Sequence, residues 1–166
     1  MKKKKEKSEF LDLPDIEYFL FEEDFVEENV RCIPMIVRFK MDKAGIKLKL
    51  AEWSKFSIKE RIELAKKECS NEEEAKDYNN YLSELIEKHT AKPATVLEVE
   101  TDPIWANINS VPELLNEKLK EFGWQVSTNQ WKNLTNLQRF ALLKLCREGH
   151  ENKNLPKAIK EFKLIN

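Results

Sequence analysis

The sequence IPMIVRFKMDKAGIKLKLAEWSKFSIKERIELAKKEC, residues 33–69, sets the pattern for the whole chain. It returns without a gap as VPELLNEKLKEFGWQVSTNQWKNLTNLQRFALLKLCR, residues 111–147. A single offset aligns the identical pairs Pro34/Pro112, Lys40/Lys118, Gly45/Gly123, Trp53/Trp131, Arg61/Arg139, Leu64/Leu142 and Lys66/Lys144. The chain has only three glycines and four tryptophans, so an offset that pairs two of each is hard to attribute to chance. We interpret the two stretches as an internal duplication.

Each copy carries the signals of a helix, a glycine stop, a turn with a tryptophan and a second, capped helix. Proline starts both copies and suits a first helical position, because its missing N–H would have had no partner there. Apolar residues recur at helical spacing up to the glycine, which can close a helix in the left-handed conformation. Capping boxes are predicted at Ser57 with Glu60 and at Thr135 with Gln138. The helix over residues 136–147 is apolar almost all round, so we expect it at the centre of the fold.

Outside the two copies, the sequence predicts two more helices. Ser70 with Glu73 forms another capping-box pattern, and regularly spaced apolar residues follow it, so we predict a helix over residues 70–89. Residues 90–110 hold two prolines and no sustained period, and we expect them to form a long connection. Apolar residues at helical spacing over residues 155–162 predict a last, short helix.

Composition favours a single all-α domain. Charged residues make up 36% of the chain and hydrophobic residues 41%, and three glycines and six prolines are few for an all-β design with many turns. We expect residues 1–15 to be a disordered, lysine-rich tail, because like charges repel and the tail has little to bury. Residues 16–166 should form one helical domain, in which residues 16–25 are an extended or irregular arm with its aromatic rings packed on the core.

Charge and apolar content argue against several classes of protein. A formal net charge of -1 supplies no general field for phosphates, so we expect no nucleic-acid partner. No run approaches the roughly eighteen apolar residues of a membrane span, and acids interrupt the start where a signal peptide needs an apolar core. We therefore expect neither membrane insertion nor export. The three cysteines are widely spaced and form no CxxC pair, which indicates reduced thiols in a cytoplasmic protein.

Few residues are candidates for catalysis or for binding a metal or an anion. Cys146 and His150 could face one metal, but no second pair stands nearby, so we prefer a buried thiol and a loop histidine that bonds to backbone. Arg61 and Arg139 hold equivalent places and are candidate anion-contacting residues. The alternative is that each satisfies helix ends or an acidic neighbour and lays its guanidinium against an aromatic ring. No nucleophile with a matched base and no phosphate-binding glycine loop is recognisable, so we expect no enzyme, no metal and no cofactor.

A series of motifs runs in order through most of the chain. They are Phe19–Glu22 with Asp24–Phe25, Arg31–Met35, Val37–Arg38, Lys40–Asp42, Gly45–Leu50, Trp53, Gln130–Trp131, Leu134–Thr135, Leu137–Leu142, and His150–Asn152 with Asn154. Together they resemble the nitrate reductase-associated protein family over about residues 18–164, with a departure at Glu148–Gly149. The resemblance implies a non-catalytic accessory protein of assimilatory nitrate reductase, whose partner is the reductase or its assembly machinery. A small-molecule sensor or an enzyme with a pocket between the two copies is the alternative.

A partner-binding surface is predicted from polar residues near the ends of helices. Its members are Arg31, Arg38, Asp42, His150, Glu151, Asn152 and Asn154. A loop between apolar helices has no packing reason for such a composition, whereas a binding surface does. In the structural alternative, His150 and Asn152 bond to the carbonyls that end the central helix, and Asn154 caps the last helix. The sequence leaves both interpretations open.

Overall fold

The computed structural model describes residues 17–22, 33–147 and 153–165, which form the predominantly α-helical fold that the sequence predicts. Their α-helices are α1 (Met35–Ala44), α2 (Leu50–Trp53), α3 (Ile58–Lys66), α4 (Glu72–Thr90), α5 (Glu113–Lys120), α6 (Thr128–Lys132), α7 (Asn136–Leu145) and α8 (Leu155–Glu161). The strands in these ranges are β1 (Ile46–Lys47) and β2 (Thr95–Val96), and two 3-10 turns span Leu20–Glu22 and Ile104–Ala106. The tail predicted at residues 1–15 lies outside the described residues.

The chain divides into two compact units, one ending at Glu100 and the other beginning at Thr101. The first copy of the repeated pattern lies in the first unit, and the second copy lies in the second unit. A single domain over residues 16–166 stays a prediction. Within the described ranges, each helix is too short or too polar to cross a membrane.

Pro34 precedes the first helix of the first unit instead of opening it. It is the N-cap residue of α1, with φ −59° and ψ 149°, and its carbonyl accepts the N–H of Arg38 at 3.0 Å. The predicted start was wrong by one position, because the extended ψ keeps the proline outside the helix. The buried carboxylate of Glu22 completes this helix start by accepting the N–H of Met35 at 2.6 Å and that of Phe19 at 3.1 Å.

The described part of the predicted aromatic arm, residues 17–22, buries its two phenylalanines. Phe19 and Phe21 are 7% and 4% exposed, and their rings stack with centroids 5.3 Å apart. The backbone of Leu20–Glu22 is a 3-10 turn, in keeping with an irregular arm. The other residues of the predicted arm lie outside the described ranges.

Gly45 ends α1 in the left-handed conformation, as predicted, with φ 72° and its N–H donating to the carbonyl of Met41 at 3.0 Å. The carbonyl of Gly45 accepts the N–H of Leu97 at 2.9 Å. β1 and β2 pair antiparallel, with Ile46 opposite Val96 and Lys47 opposite Thr95. A Cβ at Gly45 would lie 2.9 Å from Cγ2 of Val99, so both φ and close approach require glycine. The sequence indicated an extended stretch after Gly45 but missed β2, because two residues inside a long connection carry no periodic signal.

Side chains close both ends of α3. Its predicted capping box is present, since Ser57 Oγ accepts the N–H of Glu60 at 3.1 Å and Glu60 Oε1 accepts the N–H of Ser57 at 2.9 Å. At the C-terminal end, Lys40 Nζ and the Tyr78 hydroxyl each donate at 2.7 Å, to the carbonyls of Ala65 and Leu64 respectively. Carbonyls that the helix cannot satisfy internally are thereby paired.

Helix α4 begins after Asn71, one residue beyond the predicted cap. Asn71 Oδ1 accepts the N–H of Glu74 at 2.9 Å, so the predicted box of Ser70 with Glu73 was wrong. Ser70 instead donates its N–H to the Glu74 carboxylate at 3.1 Å. Asparagine caps a helix as well as serine does, and the sequence offered both at adjacent positions. The body of the helix agrees with the prediction, and α1 packs mainly against it.

The second unit starts its first helix in the same way as the first unit. Pro112 is the N-cap residue of α5, and Gly123 follows the helix with φ 71°. The N–H of Trp124 donates to the carbonyl of Leu119 at 3.0 Å, which closes the helix end. A Cβ at Gly123 would meet nothing within 4 Å, so φ alone requires glycine here.

Two capping boxes organise the rest of the second unit. Thr135 and Gln138 form the predicted box of α7, with bonds of 3.1 and 2.9 Å. Ser127 and Gln130 form a box of the same geometry at α6, which the sequence analysis missed because the helix is only five residues long. α7 packs against α5, against α8 and against the turn Ile104–Ala106. Its buried residues are Leu137, Arg139, Phe140, Ala141, Leu142 and Leu145.

The two copies share an order of elements. Each has an N-cap proline, a helix, a left-handed glycine, a short helix with a fully buried tryptophan and a helix with a capping box. They differ after the glycine, since β1 follows Gly45 whereas residues 124–127 contain no strand. The shared order is what a duplication would produce, and the duplication itself stays a prediction.

Candidate functional site

The repeated arginines lie against the repeated tryptophans. The guanidinium carbon of Arg61 is 5.6 Å from the ring centroid of Trp53, and that of Arg139 is 6.0 Å from the ring centroid of Trp131. Both tryptophans are 0% exposed, and the two arginines are 8% and 5% exposed. These are the contacts of the structural alternative, in which arginine packs on an aromatic ring. Anion contact by the pair stays a prediction.

Arg139 joins the start of the second unit to its central helix. Its Nε donates to the carbonyl of Trp105 at 2.8 Å, while Nη1 donates to the carbonyl of Leu134 and Nη2 donates to Oδ1 of Asn136. Burial lowers the pKa of Arg139 from its ordinary value. Nearby, the indole N–H of Trp131 donates to the carbonyl of Asn107 at 2.8 Å. The guanidinium therefore holds the turn Ile104–Ala106 in place.

Glu60 is the centre of a polar cluster in the first unit. Besides the N–H of Ser57, its Oε1 contacts His89 Nε2 at 2.8 Å, and its Oε2 lies 3.3 Å from Lys88 Nζ. The His89 ring also lies beside Phe56, with centroids 5.5 Å apart. Burial acts to raise the pKa of Glu60, but the bonds from Ser57, His89 and Lys88 outweigh it and lower the pKa to about 2. Only the capping box of Glu60 could be predicted from the sequence, because the sequence does not indicate that Glu60 and His89 are in contact.

The described cysteines are buried thiols. Burial raises the pKa of the Cys69 thiol, which donates to the carbonyl of Lys40 at 3.5 Å. Burial also raises the pKa of Cys146 to about 12, although Lys118 acts in the opposite direction. A thiol must be deprotonated to act as a nucleophile, so neither cysteine is suited to that role. Within the described residues, no three His, Cys, Asp or Glu side chains are grouped so as to hold a metal ion.

The structure describes three residues of the predicted partner surface. Arg38 and Asp42 lie one turn apart on α1 and are half-buried, and Arg38 Nε donates to the carbonyl of Ile33 at 2.9 Å. Asn154 stands at the N-cap position of α8 without a side-chain capping bond, and it is only 2% exposed. The remaining members, Arg31, His150, Glu151 and Asn152, lie outside the described residues. The surface stays a prediction.

A groove of about 950 Å³ runs along α5 in the second unit. We call it the α5 groove, and its lining residues are Ser110, Val111, Glu113, Asn116, Glu117, Lys120, Gly123, Trp124, Gln125, Val126, Ser127 and Thr128. The four members from α5 recur at helical spacing, so they form one face of that helix. This groove was not predicted from the sequence, because α5 was interpreted as a counterpart of α1 and the charged residues on its outer face were not considered.

A stacked aromatic pair, one ring exposed and the other half-buried, lies at the edge of the α5 groove. Trp124 lines the groove, and its ring stacks on that of Phe122 with centroids 5.0 Å apart and an angle of 22° between the planes. Phe122, in the turn after α5, is 41% exposed, and Leu114 on α5 is 42% exposed. The groove thus combines carboxylates, a lysine and amides with accessible apolar surface, which is a composition suited to binding a peptide.

The family comparison agrees with the motifs noted in the sequence. The model of the conserved nitrate reductase-associated protein family matches residues 18–162, which is nearly the whole chain and includes both copies of the repeated pattern. Comparison with curated proteins and with solved structures finds no match. The resemblance inferred from the sequence is confirmed, and the chain belongs to the conserved nitrate reductase-associated protein family.

Proposed function

We propose that this chain is a non-catalytic accessory protein of assimilatory nitrate reductase, which acts in the cytoplasm on maturation or assembly of the enzyme. Family membership is the observation that carries the proposal, because the family is described as nitrate reductase-associated. Three described residues that could have taken part in chemistry have structural roles instead. Cys69 and Cys146 are buried with raised pKa values, and Arg139 is engaged with backbone carbonyls.

Deletion of the gene tests the proposal in an organism that grows on nitrate. Reductase activity, reductase protein and reductase transcript are measured in the deletion strain, in the parent and in a strain complemented with the full chain. We expect activity to fall while the transcript is unchanged, and we expect complementation to restore it. Normal reductase activity in the deletion strain would contradict an accessory role.

A small-molecule sensor is the second candidate, and the α5 groove is the observation that favours it. Its volume of about 950 Å³ is at the upper end of the range found for small-molecule sites, roughly 300–1,000 Å³. Melting curves of the full chain with small cationic and neutral metabolites distinguish the two candidates, because the carboxylates of Glu113 and Glu117 disfavour anions in the groove. A saturable rise of several degrees would favour a sensor, because a ligand that binds only the folded state stabilises it. An accessory protein should show no such rise.

A further inference from the structure

We propose that the α5 groove is the docking surface for a basic, amphipathic segment of the nitrate reductase partner. This inference rests on the proposed function, since it names where that partner contacts the chain. The residues that carry it belong to α5 and to the turn after it, and they are Glu113, Leu114, Glu117, Phe122 and Trp124.

The groove has an unsatisfied negative edge. Glu113 and Glu117 lie one helical turn apart and are exposed, and neither has a hydrogen-bond or ion-pair partner in the part of the chain that the structure describes. Glu121 differs, because its carboxylate lies 3.7 Å from Lys118 Nζ. Two neighbouring carboxylates without a cation attract lysine or arginine from a partner. Lys120 lines the far end of the same face, so an acidic side chain of the segment would lie there.

Apolar contacts are available beside this edge. Leu114 and Phe122 are 42% and 41% exposed, although both are large apolar residues. The stacked rings of Phe122 and Trp124 lead from the exposed surface into the groove. A segment with apolar residues at helical spacing would cover these side chains while its polar edge faced the carboxylates. The occupant is therefore amphipathic as well as basic.

Two positions of the groove face differ in character between α5 and α1. The places of Glu113 and Glu117 are taken in the first copy by Met35 and Phe39, which are 4% and 8% exposed. The other two positions of the face, Asn116 and Lys120, correspond to Arg38 and Asp42, which are polar and half-buried. Only the positions of Glu113 and Glu117 therefore change from covered apolar residues in α1 to exposed acids in α5. Glu113 lies in the first turn of α5, where the helix dipole favours an acid, but this reason does not extend to Glu117. A basic partner gives a reason for the charge at both positions.

Arginine is the cation best suited to the groove. Its guanidinium can bind a carboxylate with two parallel bonds and can lie on an indole ring. The chain already uses the second contact twice, at Arg61 on Trp53 and at Arg139 on Trp131. An arginine of the partner would find both Glu117 and the Trp124 ring among the lining residues of one groove.

The test measures binding of the full chain to purified assimilatory nitrate reductase from the same organism. The double variant Glu113→Lys/Glu117→Lys reverses the negative edge, and Trp124→Ala removes the ring. Glu98→Lys/Glu100→Lys is the matched control, because both residues are exposed in a coil and neither lines the groove. We expect the groove variants to raise Kd about tenfold or more, with the charge effect larger at low salt, and the control to bind like the wild type.

Each outcome decides between the groove and another surface. Far-ultraviolet circular dichroism and melting curves identify any variant that fails to fold, and Glu113→Gln/Glu117→Gln then serves as a milder substitute. Groove variants that bind within twofold of the wild type would overturn the docking surface alone. So would weakening confined to variants of Arg38 and Asp42, which belong to the surface predicted from sequence. Failure of the wild-type chain to bind the reductase would overturn the proposed association and the docking surface together.

A cross-linking experiment identifies the occupant. A photo-reactive phenylalanine analogue replaces Gln125, which lines the groove and is exposed, and Glu98 serves as the control position. We expect the analogue at residue 125 to capture a reductase peptide rich in lysine or arginine with apolar residues at helical spacing. Capture of an acidic peptide, or cross-linking between two copies of this chain, would contradict the proposal.

Discussion

His89 joins the last turn of α4 to the first turn of α3 through a contact of 2.8 Å between its Nε2 and Oε1 of Glu60. The same oxygen caps α3, so one carboxylate both starts one helix and holds the end of another. The negative charge of Glu60 is central to this arrangement, because its two carboxylate oxygens contact His89 Nε2 at 2.8 Å and Lys88 Nζ at 3.3 Å.

Removing the charge of Glu60 should make the free energy of unfolding less dependent on pH in the acidic range. The folded-state pKa of Glu60, about 2, is below the ordinary value of 4.5, so its contribution is present above about pH 4.5 and is lost as pH falls towards 2. Glu60→Gln keeps the capping oxygen, as Gln138 does for Thr135. We expect it to lose about 1 kcal/mol at pH 7 and to match the wild type near pH 2. Urea unfolding across this pH range measures the effect, and equal loss in the exposed control Glu63→Gln would contradict it.

Arg139→Lys should destabilise the protein, because lysine cannot reproduce three directed bonds from a planar guanidinium. The loss of the contacts to Trp105, Leu134 and Asn136 should cost about 2–3 kcal/mol, which thermal and urea unfolding would detect. Phosphate and nitrate should then leave the melting temperature of the wild type and of the variant unchanged. A rise with either anion in the wild type that Arg139→Lys abolishes would show that anion contact, and not only structure, depends on this residue.

The two left-handed glycines provide a matched pair of substitutions. Gly45 and Gly123 have almost the same φ, 72° and 71°, but only Gly45 would bring a new Cβ within 2.9 Å of Val99. Gly123→Ala should cost about 1–2 kcal/mol from backbone strain, and Gly45→Ala should cost more, because the neighbouring backbone also has to move. Urea unfolding of the two variants gives the comparison. Equal losses would mean that contact with β2 and the residues after it contributes little.

The shifted cap of α4 can be checked by two alanine substitutions. Asn71→Ala should lower the free energy of unfolding by about 1 kcal/mol, because the N–H of Glu74 loses its acceptor. Ser70→Ala should have little effect, because Ser70 contributes its backbone N–H and not its hydroxyl to the capping contact. A larger loss of stability for Ser70→Ala than for Asn71→Ala would instead support Ser70 as the cap of α4, as the sequence predicted.

How much of this structure could be predicted depended on how far apart in the sequence the interacting residues lie. Local signals worked well: the glycine stop at Gly45 and the capping boxes at Ser57 and Thr135 need only a few adjacent residues. The starts of α1 and α4 were each misplaced by one residue, since neighbouring positions satisfied the same local pattern. The pairing of distant segments, such as β1 with β2, could not be predicted, because the spacing of apolar residues does not indicate which segments pair.

The candidate site was harder to predict than the fold. The α5 groove depends on exposure of Glu113 and Glu117, and exposure is a property of the folded chain. The two copies could have been compared to find the groove, because Glu113 and Glu117 occupy the positions that Met35 and Phe39 have in the first copy. The predicted surface around Arg38 and Asp42 relied on polarity alone, which does not distinguish a binding residue from one that bonds to nearby backbone.

The short sheet has a consequence for the order of folding. Ile46 pairs with Val96, so the sheet closes a loop of roughly fifty residues, and the entropy of closing it is lost before its few hydrogen bonds form. The helices within that loop depend on contacts much closer in sequence and should form earlier. We expect Val96→Ala to leave the refolding rate nearly unchanged and to act, if at all, on the unfolding rate. A strong slowing of refolding would place the sheet in the folding nucleus.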